Sequence, residues 1–463
     1  ALGLAPVAHL PDRFAEGYGL RAEALSLLGG QGVSLVITVD CGVRSVGEVA
    51  WARSQGIDVI VTDHHLAGSE LPPARAVVNP RLEGTAYPYA GLSGAGVAYK
   101  LLQAVSATCP NLRPDATLDL VAIGTIADLA PLNGENRYLV AQGLDLLRQS
   151  PRLGLAELMR VAGARGAEVN AASIAFGVAP RLNAVGRLHS PRPALDLLLA
   201  EDQIEAARLA QDLDQANRTR QGVTRREFEK AREQVLSQQS LPALLTVHSR
   251  DLGEGILGLV AARLTEEFYR PSLVARVGDE TVRASLRSVA EFPITAALER
   301  ISDQLIEFGG HATAAGFTAA TDKLEPIGRA LEAMAADVLQ GELGAELRVD
   351  AVASLNQLDE VLMRFLDQFE PTGQGNPPVL FAARNLEVLS KRAVGSDGAH
   401  LKLLLRDQQR SMDAIGFRLG DRLKDLPRQV DILFNLERNN YLGVGSLQLN
   451  LKDVRPASPQ TGT

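Results

Sequence analysis

Ser34-Leu35-Val36-Ile37-Thr38-Val39-Asp40-Cys41-Gly42 and Ile57-Asp58-Val59-Ile60-Val61-Thr62-Asp63-His64-His65 share one plan: a β-branched, nearly unbroken apolar run that ends on metal-ligating side chains. Val46 to Gln55 between them has helical patterning, and Ala76-Val77-Val78 is a shorter third run. Strands that are apolar on both faces and separated by helices belong to a buried parallel sheet, so the expected fold class is α/β. In such a sheet, ligands gather at the carboxyl ends of the strands. Asp40, Asp63, His64 and His65 all stand there.

Gly94 to Ala107, Asn136 to Gln149 and Ala171 to Ala175 read as helices. Leu118 to Ile126 reads as a buried one, running through Gly124-Thr125-Ile126-Ala127 into Asp128. Carboxylates and imidazoles brought together suit Mn²⁺, with Mg²⁺ less favoured once histidine is a ligand. An Asp after a strand is also a common cap or turn former. Adjacent histidines carry more weight, because the chain has only 7. Cys41 is expected to be a packing residue, since a soft thiolate does not suit an oxygen-rich site.

Residues 1–199 therefore form a first domain and 200–240 a charge-dense connecting helix. Residues 241–345 form a smaller α/β lobe, with strands Ala243 to Val247, Ser272 to Arg276 and Thr281 to Leu286 and helices Gly255 to Phe268 and Ile294 to Glu307. Residues 346–456 hold a helix, Leu355 to Phe369, and then strands Leu401 to Leu405, Ser411 to Phe417, Gln429 to Leu436 and Ser446 to Leu451, the pattern of a small β-barrel. Residues 457–463 are expected to be a disordered tail. The run from Arg218-Thr219-Arg220 to Arg225-Arg226 reads as a solvated helix face.

A length of 463 residues fits about three domains, and 46% hydrophobic with 22% charged residues excludes collagen-like and wholly disordered classes. No apolar stretch approaches the ~20 residues of a membrane span. Cys41 and Cys109 are too few for a disulfide framework, so a reducing, cytoplasmic setting is expected. Lys and Arg total 47 against 55 Asp and Glu, a net charge of -8 that argues against a histone-like polycation but not against local phosphate-gripping patches. Aromatic residues at 4% leave base stacking to few side chains.

Asp63-His64-His65, preceded by Val39-Asp40-Cys41-Gly42 and followed by Gly124-Thr125-Ile126-Ala127-Asp128, resembles the DHH phosphoesterase superfamily. Arg13-Phe14-Ala15-Glu16-Gly17-Tyr18-Gly19, Gly94-Ala95-Gly96-Val97-Ala98, Ala179-Pro180-Arg181-Leu182-Asn183-Ala184-Val185-Gly186-Arg187, Gly309-Gly310-His311-Ala312-Thr313-Ala314-Ala315-Gly316 and Glu370-Pro371-Thr372-Gly373-Gln374-Gly375-Asn376-Pro377 narrow it to the RecJ family of 5′→3′ exonucleases specific for single-stranded DNA. The resemblance runs from about Arg13 to Val454. It implies an N-terminal DHH domain, a connecting helix, a DHHA1 domain and a C-terminal OB-fold.

The resemblance also implies roles. Asp40 would bridge two Mn²⁺ or Mg²⁺ ions roughly 3.5 to 4 Å apart, and His64 and Asp128 would complete one of them. His65 would face the scissile phosphate, with Asp63 orienting its neighbours. Arg13, Arg187, Ser285 and Arg287 match a 5′-phosphate pocket, and Arg181 lies close enough to share that duty. Gly309, Gly310 and His311 would meet the DNA backbone; without the resemblance they read as a tight turn. In the barrel, Lys391, Arg392, Lys402, Arg406, Phe417, Phe434 and Tyr441 are candidates for a strand-binding surface. Gly253 stands where the family usually carries a histidine.

The family's Asp-x-Asp-x-Asp-Gly motif, which supplies further metal-binding carboxylates, would lie upstream of Ala1, so the chain is expected to be a fragment rather than a relative that has lost catalysis. The expected substrate is single-stranded DNA in repair and recombination, with a single-strand-binding protein and a helicase as collaborators, no membrane, and a monomeric state. The alternatives are a non-catalytic single-strand-binding scaffold and a phosphodiesterase acting on short oligonucleotides.

Overall fold

The computed structural model describes residues 5–12, 19–164, 166, 169–341, 344, 346–395, 398–408, 410–439 and 445–457. Arg13 and Tyr441 lie outside the described residues, as does the tail from 458 onward. The chain divides into two units, residues 1–130 with 138–345, and residues 131–137 with 346–463.

In the first unit, β1 (Leu35–Val39), β2 (Asp58–Thr62) and β3 (Ala76–Val78) make a parallel sheet in that order. α1 (Ala22–Gly30) and α2 (Val46–Ser54) cover it, and Leu25, Val49, Ala52, Ile57, Val59 and Val61 form the core between them. Helices α3 (Gly94–Ser106), α4 (Leu118–Ala127), α5 (Gly134–Gln149), α6 (Leu153–Ala162), α7 (Ala171–Ser173), α8 (Ala179–Leu188) and α9 (Arg192–Leu198) follow. Ser93 caps α3 by accepting the Gly96 N–H at 3.1 Å and is hydrogen-bonded to Thr125 of α4 at 2.8 Å, which ties the two helices at the level of the sheet's carboxyl edge.

The connecting helix α10 (Gln203–Leu236) starts at Asp202, whose side chain accepts the Glu205 N–H. Its 34 residues span about 50 Å. It packs against α6, α8 and α9 and then, through Phe228, Ala231 and Val235, against the second lobe.

That lobe contains β4 (Leu245–Ser249), α11 (Leu257–Phe268), β5 (Ser272–Val277), β6 (Thr281–Arg287), α12 (Ile294–Glu299), β7 (Glu307–His311), β8 (Ala314–Ala320) and α13 (Leu324–Val338). The sheet order is β4-β5-β6-β8-β7, antiparallel except for β4 with β5. The helix expected from Ile294 to Glu307 stops at Glu299. Glu307 opens an edge strand, so Gly309-Gly310-His311 is the end of a strand rather than a tight turn. Pairing with β8, a tertiary contact, overrides the local helical pattern.

The second unit contains β9 (Ala351–Val352), α14 (Glu360–Leu366), β10 (Phe381–Val394), β11 (His400–Arg406), β12 (Ser411–Gly416), β13 (Gln429–Asn439) and β14 (Ser446–Pro456). Pairing runs β10-β11-β12-β14-β13 and returns to β10, which closes a five-stranded barrel. The helix expected from Leu355 to Phe369 is shorter, because Asp359 starts a fresh one by capping Val361 and Leu362. Phe434 is fully buried in the barrel core, so it is not a stacking surface, whereas Phe417 is exposed.

Candidate metal centre and nucleic-acid cleft

The chain turns at the end of β1 with Asp40 in the left-handed region (φ 65°), a conformation that Asp tolerates better than most residues. Thr38 fixes the turn by donating to the Cys41 carbonyl at 2.7 Å, while Thr62 of β2 donates back to the Thr38 carbonyl at 2.6 Å. The Asp40 carboxylate then lies against the start of α3. A Cβ on Gly94 would stand 2.5 Å from Asp40 Oδ1, so only glycine leaves the carboxylate in place.

β2 delivers Asp63, His64 and His65. Asp63 is buried and acts as a hub. Its Oδ2 accepts the Val43 N–H at 3.0 Å, and its Oδ1 accepts the His64 and His65 N–H groups and faces His65 Nδ1 at 2.7 Å. Burial alone would raise the Asp63 pKa, but these hydrogen bonds, led by that of His65, bring it to about 2. The same bond raises the pKa of His65 and directs its Nε2 away from Asp63. Asp63 is therefore a positioning residue, with its acceptor sites engaged by its neighbours.

His64 is buried, and its Nε2 lies 2.9 Å from Asp40 Oδ1 and 3.6 Å from Asp128 Oδ2. Nε2 is sealed from solvent with no well-directed hydrogen bond. An enclosed imidazole nitrogen facing two carboxylates is the donor set of a divalent cation rather than of an internal hydrogen bond. Ligand atoms of Asp40, His64 and His65 all lie within 4.8 Å of one another. The residues thus fit Mn²⁺, with Mg²⁺ also accommodated. Asp128 is raised by burial, and the Asp40 charge adds to the rise. Cys41 lines the cleft, and burial pushes its thiol up to about 11, so it remains protonated.

Opposite stands the second lobe. Strand register aligns three rows across β6, β8 and β7: Arg283, Thr318 and Glu307; Ser285, Gly316 and Gly309; and Arg287, Ala314 and His311. The two-residue period puts all three rows on one face. The middle row is a trough floored by two glycines, two strand spacings or about 10 Å long. Beside its β7 end, in the neighbouring row, His311 stacks on His65, with ring centroids 5.9 Å apart and planes 16° apart. Together the two lobes enclose a cavity of about 580 Å³ lined by Arg44, His65, Arg283, His311 and Thr318 among others.

At the β6 end, Arg287 donates to the Leu286 carbonyl at 2.8 Å and to Ser285 Oγ at 3.3 Å. Burial lowers its pKa, and among the described residues no carboxylate neutralises it. Arg187 reaches the same region from α8, donating to the Gly255 carbonyl at 3.1 Å. Gly258, one turn on, makes room: a Cβ there would lie 2.9 Å from Arg287 Nη2 and 3.0 Å from Ser285 Oγ. Arg181 is not part of this group. It is an ion-pair partner of Asp214 on α10 at 2.8 Å and donates to the Gly177 carbonyl, so it clasps two helices. In the barrel, Lys391, Lys402 and Arg406 are tied to the Leu426 carbonyl, Gln448 and Glu387 respectively.

Asn79 and Gly258 were not legible as site residues. Asn79 donates to the His65 carbonyl at 2.9 Å and so fixes the loop after β2; a polar residue directly after a short third strand was the available signal. For Gly258 the signal was the Gly255 to Gly258 spacing at a helix start.

Three family models match the chain: the DHH family, N-terminal domain, over residues 3–125; the DHHA1 domain over 242–337; and the RecJ OB domain over 349–453. A single-stranded-DNA-specific exonuclease RecJ from Bacillus subtilis is 36% identical over 451 residues, covering 96% of this chain and 57% of that protein. One from Haemophilus influenzae is 36% identical over 483 residues, covering 98% of this chain and 83% of that protein. The crystal structure of RecJ in complex with Mn²⁺ from Thermus thermophilus superposes with a TM-score of 0.82 at 31% identity, covering 95% of this chain and 64% of that one. The chain thus spans somewhat over half the length of the Bacillus and Thermus proteins and most of the Haemophilus one. With all three domain models in order and this degree of identity along nearly its whole length, the chain belongs to the RecJ family of single-stranded-DNA-specific exonucleases.

Proposed function

We propose that this chain hydrolyses the phosphodiester bonds of single-stranded DNA from the 5′ end, releasing mononucleotides during repair and recombination in the cytoplasm. The observation that carries the reading is the trough from Ser285 through Gly316 to Gly309, with an unneutralised Arg287 at one end and the His65–His311 stack beside the Asp40–His64 cluster at the other. A 5′-terminal phosphate held by Arg287, Ser285 and Arg187 would leave the first internal phosphate at the histidines, the arrangement a 5′→3′ reading requires.

Asp40, His64 and Asp128 would hold Mn²⁺ or Mg²⁺. When bound there, the cation supplies a water of lowered pKa and neutralises charge on the phosphate. Asp63 fixes the orientation of the His65 ring, so that Nε2 addresses the cleft. His311 holds that ring in plane from the opposite side. The glycine row admits the DNA backbone without side-chain collision. Because single strands must be exposed before they are cut, a helicase and a single-strand-binding protein are the natural suppliers. The thiols of Cys41 and Cys109 are unpaired, which suits a reducing compartment. Among the described residues, no helix is long and apolar enough to cross a membrane.

The test is digestion of 5′-labelled and 3′-labelled single strands in Mn²⁺, with blunt duplex as a control. Labelled mononucleotide should appear first from the 5′ end, blunt duplex should survive, and Asp40→Ala or His64→Ala should abolish the reaction. Release starting at 3′ ends would sink the proposal, and tight strand binding without hydrolysis would favour a binding scaffold.

A further inference from the structure

The basic run on α10 is not a uniform solvated face. Arg218 is exposed and pairs with Asp214 at 2.8 Å, and Arg225 and Arg226 are exposed. Arg220 turns inward. It is half-buried, its Nη2 donates to Oδ1 of buried Asn217 at 2.7 Å, and its Nε is enclosed with no hydrogen-bond partner. One turn later Thr224 is 2% exposed, and its hydroxyl is likewise enclosed without a partner.

Asn217, Arg220, Thr224 and Phe228 recur at helical spacing and so share one stripe of α10. The stripe continues through Ala231 and Val235 into the apolar core against α11. From α11, Arg263 lies over the Phe228 ring, 5.6 Å from its centroid. The seam between the helices is thus apolar beyond Phe228 and polar at its other end, where Asn217, Arg220 and Thr224 lie. Burial, then the positive charge of Arg263, lowers the pKa of Arg220, and no carboxylate among the described residues offsets this.

Two enclosed donors on one stripe, Arg220 Nε and Thr224 Oγ1, have no acceptor among the described residues. No carboxylate among the described residues supplies it. A tetrahedral oxyanion would: a guanidinium fork matches two phosphate oxygens, and a hydroxyl donates to a third. We propose that Arg220, Thr224 and Arg263 form a phosphate-binding site at the α10–α11 seam, distinct from the Arg187, Ser285 and Arg287 group. Gly258, which faces Arg287, and Arg263 lie about 140° apart around α11, so the two sites use different faces of that helix. The phosphate is either a phosphodiester of a bound single strand or a free phosphate ion.

The test uses the full chain carrying Arg220→Gln or Thr224→Val, each also in an Arg287→Ala background that removes the other phosphate site. One probe is oligothymidylate, with binding measured in EDTA across a salt series. The other is inorganic phosphate, followed by the rise in Tm. If the site takes a strand phosphate, both variants weaken oligothymidylate binding, Arg220→Gln by about tenfold, and Arg220→Gln reduces the salt slope by about one. If it takes free phosphate, the Tm rise survives Arg287→Ala and disappears with Arg220→Gln, while strand binding is unchanged. Parental values for both probes in both variants would overturn the proposal. Arg220→Lys, which keeps the charge without the fork, should be intermediate in whichever response is lost, separating a binding defect from misfolding. Both readouts are of binding, so a parent without nuclease activity would sink the exonuclease reading and leave this test intact.

Discussion

The rings of His65 and His311 stack across the cleft, centroids 5.9 Å apart, although one lies in the loop after a strand of the first sheet and the other ends an edge strand of the second. Their environments pull them in opposite directions. The hydrogen bond to Asp63 raises the pKa of His65, whereas burial, followed by the charge of His65, lowers that of His311. The shifts favour the protonated, donating form of His65 and the neutral form of His311, a pair suited to the phosphate proposed to lie between the lobes.

His311→Ala should therefore lower kcat by about 100-fold with little change in single-strand affinity. His311→Phe keeps the stack but removes the ring nitrogens, and should be equally slow. Single-turnover digestion of a 5′-labelled strand distinguishes the cases, and a Phe variant at the parental rate would reduce His311 to a packing role.

Gly94→Ala tests the cradle of the Asp40 carboxylate, proposed as a metal ligand. Its methyl group would stand 2.5 Å from Asp40 Oδ1, closer than contact allows, so Asp40 must move while the capped start of α3 can persist. Mn²⁺ affinity, read from the free-ion resonance in a titration, should fall at least about tenfold with an unchanged circular dichroism spectrum. Parental affinity would show that Asp40 is not held where the geometry puts it.

Much of this centre could be read in the sequence, for a physical reason. β1 and β2 are β-branched runs whose ends carry the ligands, so strand and site share one signal. β7 gave no such signal: Leu305-Ile306-Glu307-Phe308 continues a helical pattern, and only pairing with β8 makes it a strand. β10 was missed because its alternation breaks where Asn385 takes a positive φ and the register shifts between Ala383 and Leu386. Arg181 and Arg187 stand in one motif, and nothing local reveals that Asp214, on another helix, engages the first and leaves the second near Gly255. Arg220 likewise looks like its exposed neighbours until α11 is packed beside it.

Gly258→Ala addresses the group proposed to hold the terminal phosphate without removing a charge. The added methyl would press on Arg287 Nη2 at 2.9 Å, and the end of a guanidinium can swing aside. The expected result is a KM about tenfold higher for 5′-phosphorylated strands, a retained kcat, and little change for 5′-hydroxyl strands, because displacing a charge-assisted contact costs on the order of 1.4 kcal/mol or more. Competition between the two strand types measures the ratio. Equal losses on both would place the defect outside phosphate recognition.

Arg181→Met separates a clasp from a phosphate ligand. Arg181 and Asp214 are both largely buried, and Asp214 keeps only the exposed Arg218 when Arg181 is removed. Loss of one partner of a buried pair leaves a charge poorly compensated, so unfolding free energy should fall by about 3 kcal/mol. The chain retains Arg187, Ser285 and Arg287, so the ratio of KM values for 5′-phosphorylated and 5′-hydroxyl strands should stay at its parental value below the lowered Tm. Asp214→Asn provides the complement: it should destabilise the same contact from the other helix and again leave that ratio alone. If Arg181→Met instead erased the preference for a 5′-phosphate while unfolding at the parental denaturant midpoint, Arg181 would be a ligand and the clasp incidental.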